Sequence, residues 1–145
     1  MKSDLFTFGE VLSVFISKDT DSVMSAKAYE RVTAGAEANV AVTLSRLGLK
    51  SQFYSRFGSD QLGSVMIADI EAEGVDVSQI KRVSGFTAAM VRNPGKTAPV
   101  EISYLRKGSA ASTMDPADIL DSYILNTRWL HTTGITCAIS KSGAE

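Results

Sequence analysis

Residues 34–58 read AGAEANVAVTLSRLGLKSQFYSRFG, and the hydrophobic period changes once along that stretch. Val40, Ala41, Leu44 and Leu47 recur at helical offsets, with Gly48 placed to end the helix. Residues 52–57 then alternate, putting Phe53, Ser55 and Phe57 on one face of a strand that Gly58 closes. Ser59 or Asp60 can cap a second helix, whose stripe is Leu62, Val65, Met66 and Ile70 and whose stop is Gly74. Upstream, residues 5–16 (LFTFGEVLSVFI) form two strand-like pieces parted at Gly9-Glu10, a core strand followed by a change of direction. Strand and helix therefore alternate. Parallel strands need long connections and helices supply them, so the pattern predicts an α/β fold with a parallel sheet.

Further along, the rhythm differs. The polar residues 17–32 read as a loop or a weakly patterned strand pair. Residues 86–92 and 100–107 are strand-like runs joined by NPGKTAP, whose Asn93-Pro94-Gly95 is turn chemistry, so a hairpin is expected. Period-two geometry puts Val100, Ile102, Tyr104 and Arg106 on one face of its second strand, a tyrosine and an arginine side by side. Asp115 is placed to cap a helix with Pro116 first and Asp118 in its first turn. Residues 128–133 read as another core strand ending at Gly134, and residues 135–145 (ITCAISKSGAE) as a helix entry. No repeat or low-complexity tract interrupts the chain.

At 145 residues, folding can bury about two thirds of the unfolded surface, enough for one core. Fifteen basic against sixteen acidic side chains leave a net charge of −1, which disfavours binding of nucleic acid or an anionic membrane by bulk charge. One cysteine, Cys137, excludes an internal disulfide and cysteine-based zinc clusters, and one histidine, His131, excludes the zinc-protease spacing. The N-terminus lacks a signal-peptide layout and no stretch approaches a membrane span, so the cytoplasm is the expected compartment.

Two motifs are turned down on spacing. Gly95-Lys96-Thr97 resembles the end of a phosphate-binding loop, but Met90 stands where that loop needs its first glycine, and the triplet lies in a hairpin. No serine has glycines two residues away on both sides, so there is no nucleophile elbow. His131, within a strand, reads as a packed or hydrogen-bonded histidine, Cys137 as a small buried hydrophobe, and Trp129 as core or interface. Gly35 and Asn39 stand at a helix N-terminus. Gly35 permits close backbone approach and Asn39 offers a donor and an acceptor to a polyol, although a loop glycine and a capping asparagine fit the spacing equally well.

AGAEANVAVTLSRLG followed by FYSRFGSDQLG resembles the first signature of the ribokinase-like (PfkB) carbohydrate kinases, with Asn39, Ala41, Gly48 and Gly58 in that family's spacing. Glu37 stands where the broad pattern prefers a small residue, and Ala34-Gly35 replaces the usual glycine pair. Both departures are similar to the branch acting on keto-deoxy sugar acids, the 2-keto-3-deoxygluconate kinases, as are GVDVSQIKR, YLRKGSAAS and WLHTTGIT. The resemblance implies a partial three-layer α/β/α sheet with a small β lid, its lid strands within residues 11–32 and 86–107. It implies that residues 1–145 form the N-terminal, sugar-binding part of one kinase domain. Gly35, through its backbone, and Asn39 would contact sugar hydroxyls; Tyr104 and Arg106 would come from the lid, Arg106 pairing the substrate carboxylate. Met90 stands where the branch commonly has a lid tyrosine, and so joins the candidate set. ATP and Mg2+ would serve the whole enzyme. The GAGD-type segment with the catalytic aspartate and anion hole has no counterpart here, so catalytic residues, nucleotide and metal are not expected in this chain, which is expected to be inactive alone. The alternatives are a kinase for a neutral sugar such as fructose or ribose, or a noncatalytic fragment that oligomerises through lid strands or an exposed sheet edge.

Overall fold

The computed structural model describes residues 2–144. Its core sheet is parallel, as the alternation of elements predicts, in the order β4 (Ser51–Tyr54), β1 (Ser3–Phe8), β9 (Thr127–His131). Leu5 of β1 stands opposite Ser51 on one side and Trp129 on the other. A central parallel strand is covered on both faces, and this is why LFTF is continuously apolar in its packing positions. Leu5 packs with Phe53, Ala38 and Ala41 of α1 (Ala36–Arg46), and Met66 and Ile70 of α2 (Gln61–Ala72). Phe6 turns the other way, to Tyr54 and Met114, with Ile119, Tyr123 of α3 (Asp121–Leu125) and Ile139 of α4 (Gly134–Ile139) against that cluster. Helical segments thus lie on both faces of the sheet. The two helix stops are glycines with left-handed backbone, Gly48 at φ 85° and Gly74 at φ 78°, a conformation that side chains disfavour.

Local departures have local causes. The single strand expected at residues 52–57 is two, β4 and β5 (Arg56–Gly58), because the chain changes partner at Ser55: β4 pairs with β1, β5 with β6 (Lys81–Val83). Phe53 and Phe57 still share one core cluster, so the predicted face holds. On α1, Ala38 and Ala41 are buried while Leu47, just past its last residue, is 72% exposed; on α2 the buried stripe is Gly63, Met66 and Ile70, with Val65 exposed. Gly63 leads that stripe because a β-carbon there would lie 2.6 Å from the Gly58 carbonyl oxygen. Asp60, rather than Ser59, is the cap, accepting from Gly63 N at 2.7 Å and from Thr87 N and Oγ1 at 2.7 and 2.8 Å. Asp115 and Asp118 do form a capping box, but on one 3-10 turn, Pro116–Asp118; the Asp118 side chain is held by Arg56 and Lys81.

A second, four-stranded sheet runs in the order β3 (Tyr29–Ala34), β2 (Leu12–Ser17), β7 (Ala89–Arg92), β8 (Ile102–Leu105). The expected hairpin is β7–β8, and the polar stretch left open as a loop or a strand pair resolves into a loop followed by β3, antiparallel to β2. The hairpin tip is fastened from outside. The Asp21 carboxylate accepts hydrogen bonds from the backbone N–H groups of Gly95, Lys96, Thr97 and Ala98 and from Thr97 Oγ1, which holds it well below the usual carboxylate range. Asn93, fully buried, donates to the carbonyls of Asp21 and Pro99 and accepts from Glu101 N.

Candidate functional site

The second sheet meets the core where β1 ends. Glu10, just beyond β1, is 3% exposed, and its carboxylate forms an ion pair with Arg106 Nη2, just beyond β8. The Arg106 guanidinium also lies over the Tyr104 ring, 5.2 Å from its centroid, a cation–π arrangement. Tyr104 is half exposed and stands opposite Met90 in the β7–β8 register. Gly35 precedes α1 with extended backbone at φ −166°, so torsion does not demand a glycine there. Approach does: a β-carbon would lie 2.6 Å from the Glu10 carbonyl oxygen and 3.2 Å from Val11 Cα. Gly35, Tyr104, Arg106 and Met90 are therefore linked in one chain of contacts, with Glu10 at its centre. Asn39 is not part of that chain. It is exposed one turn into α1 and lines a groove of about 620 Å³ with Val32, Thr33 and Ala34 of β3 and Asp69 of α2.

Two buried acids complete the junction, and sequence reasoning missed the part of both. Glu37, in the first turn of α1, is fully buried and accepts from Thr133 N at 3.1 Å and Thr133 Oγ1 at 2.6 Å, tying α1 to the cap of α4. The partial positive charge of the helix N-terminus favours an anion at that position. Burial pushes the Glu10 carboxyl above its ordinary value; Arg106 pulls it back, and Glu37 pushes it up again. Glu10 Oε1 and Glu37 Oε2 are buried without a hydrogen-bond partner. The available signal for Glu10 was an acid inside the apolar run LFTFGEVLSVFI; for Glu37 it was only the departure from a small residue.

Chemically, the junction offers a planar cation beside a phenol and a thioether on a half-exposed surface, an arrangement suited to a carboxylate with an attached polar chain. The backbone N–H groups of Gly95, Lys96 and Thr97 are taken up by Asp21, and among the described residues no group of three or more His, Cys, Asp or Glu could hold a metal ion. The expected histidine bond is present, Thr7 Oγ1 to His131 Nδ1 at 3.2 Å. Trp129 is half exposed beneath the Arg128 guanidinium. Cys137 is a correction: it is exposed, because α4 turns Thr136 inward instead. Among the described residues no helix is long and apolar enough to cross a membrane.

The sequence profile described as pfkB family carbohydrate kinase matches residues 2–144. A 2-dehydro-3-deoxygluconokinase of Bacillus subtilis (strain 168) is 36% identical over 142 residues, 97% of this chain and 44% of that protein. Among solved structures, a PfkB protein from Polaromonas sp. JS666 superposes with a TM-score of 0.93 at 38% identity, over 98% of this chain and 48% of that one. A sugar kinase from Pyrococcus horikoshii, solved in complex with ATP, superposes at 0.76 and 29% identity over 83% and 39% of the two chains. The chain thus spans less than half the length of these relatives. With the ribokinase-like architecture matched along nearly all of its residues, the chain belongs to the pfkB family of carbohydrate kinases.

Proposed function

We propose that this chain is the sugar-binding and lid portion of an ATP-dependent kinase that phosphorylates a keto-deoxy sugar acid such as 2-keto-3-deoxygluconate. The observation that carries the reading is the Arg106 guanidinium, held over Tyr104 opposite Met90 and joined through Glu10 to Gly35. A guanidinium so placed can take a substrate carboxylate, while Gly35 and Tyr104 face the rest of the sugar. Asn39, outside that chain of contacts, would reach a sugar hydroxyl only from the groove that runs past Ala34 beside Gly35. The second sheet is the lid. The relative named for 2-dehydro-3-deoxygluconate and the neighbour solved with ATP support the substrate class and the nucleotide. Phosphoryl transfer is assigned to the part of the enzyme that the relatives carry and this chain does not match, and the chain alone is inactive. The cytoplasm is the proposed compartment.

The reading is tested by titrating the chain calorimetrically with 2-keto-3-deoxygluconate and with fructose. The acid is expected to bind more tightly. Arg106→Ala should weaken acid binding ~10- to 100-fold, as the loss of a charge-assisted hydrogen bond implies, and leave fructose binding unchanged. Tighter binding of the neutral sugar would sink the acid assignment. A second reading, a lid-mediated assembly module, is favoured by the exposed edge strand β8, all four of whose residues are exposed.

A further inference from the structure

Glu10 is an acid where an apolar residue would pack more cheaply. A buried carboxylate is costly unless paired, and its partner here is Arg106. The pair is unequal in a way that matters. The Glu10 side chain is 1% exposed and the Arg106 side chain 24%, so one end is fixed in the core and the other is reachable from the second sheet. Arginine side chains have many rotamers, and fixing one costs entropy that a ligand would otherwise have to offset. Glu10 on one side and the Tyr104 ring on the other hold this guanidinium in one place before any ligand arrives. The same Glu10 presents its backbone carbonyl to Gly35, so the two ends of the proposed ligand site share one residue.

We propose that Glu10 is a positioning residue, holding the Arg106 guanidinium over Tyr104 so that its exposed edge meets the ligand carboxylate. The inference rests on the acid-binding reading of Arg106. A competing role has the opposite sign. Were Glu10 only a counter-charge, removing it would take a negative charge away from the ligand carboxylate and tighten acid binding. The other charged group facing Glu10 is Glu37, from α1, whose repulsion reinforces the upward push of burial on Glu10.

The test is the titration with 2-keto-3-deoxygluconate and fructose, applied to Glu10→Met, which keeps the volume and removes the acceptor, and to Glu10→Asp, which keeps the charge. Glu10→Met is expected to bind the acid at least tenfold more weakly, with fructose within twofold of wild type, and Glu10→Asp to recover most of the acid affinity. Thermal unfolding checks that each variant is folded; if the Met variant is not, Glu10→Gln takes its place, with a smaller loss expected in the same direction. Acid binding that is unchanged or tighter overturns the positioning role. Equal losses for both ligands overturn it too, since they mark a general structural effect. If wild type binds the acid and Arg106→Ala does not, while the Glu10 variants bind like wild type, only the positioning role fails. If wild type binds no acid, the reading of Arg106 fails and the inference falls with it.

Discussion

Asp118 shows how a single residue carries more than its local reading. In sequence it is a first-turn acid beside a cap. In the fold it is nearly buried, with Arg56 Nε at 2.6 Å and Lys81 Nζ at 2.7 Å, partners 62 and 37 residues away. Burial pushes its carboxyl up, but the hydrogen bonds from Arg56 and Lys81 outweigh that and hold it well below the usual range. A depressed folded value means stability that is fully present above the unfolded carboxylate value of about 3.9 and lost as pH falls through the folded one. Asp118→Ala is expected to cost about 3 kcal/mol at neutral pH, with the gap from wild type closing progressively below about pH 4. Urea unfolding across a pH series measures this, and a gap independent of pH would contradict it. Glu10 and Glu37 escaped the sequence for the same reason as the Asp118 network. Pairing between distant residues leaves no periodic trace, whereas Gly48 and Gly74 were legible because a helix stop is a local requirement.

At the scale of elements, periodicity located helices and strands, and partners decided their limits. The strand at residues 51–58 breaks where β1 leaves it and β6 takes over, and α2 buries Gly63 instead of Val65 because the end of β5 at Gly58 comes so close. The triplet Gly95-Lys96-Thr97 was set aside as a phosphate loop on spacing, and the fold supplies the reason it exists: its amides cradle an anion, but the anion is Asp21. Period two put Tyr104 and Arg106 on one face, where the ring and the guanidinium meet. The same strand has an edge with no partner among the described residues, and Ile102 and Leu105 are 42% and 57% exposed on it. Such edges invite a second copy. Sedimentation of the chain at tens of micromolar is expected to show a dimer that Leu105→Lys disperses; a monomer at high concentration would count against assembly through β8.

For the whole molecule, a net charge of −1 disfavours a polyanion but says little about a small anion, because one oriented guanidinium can bind a carboxylate without help from the overall field. The parallel core positions that guanidinium from a distance. β1 delivers Glu10 at its end, α1 delivers Gly35 and Glu37, and the second sheet returns Arg106 to them. Phosphoryl transfer depends on positioning and electrostatic stabilisation of the transferred group, a task the proposal gives to the part that the relatives carry. The most direct measurement is therefore ATP consumption, followed for this chain alone and for the chain joined to the downstream part that its relatives carry. The account predicts no turnover by the chain alone, and by the joined protein a kcat/KM for 2-keto-3-deoxygluconate well above that for fructose. Phosphorylation by the 145-residue chain alone, or a joined enzyme that prefers fructose, would contradict it.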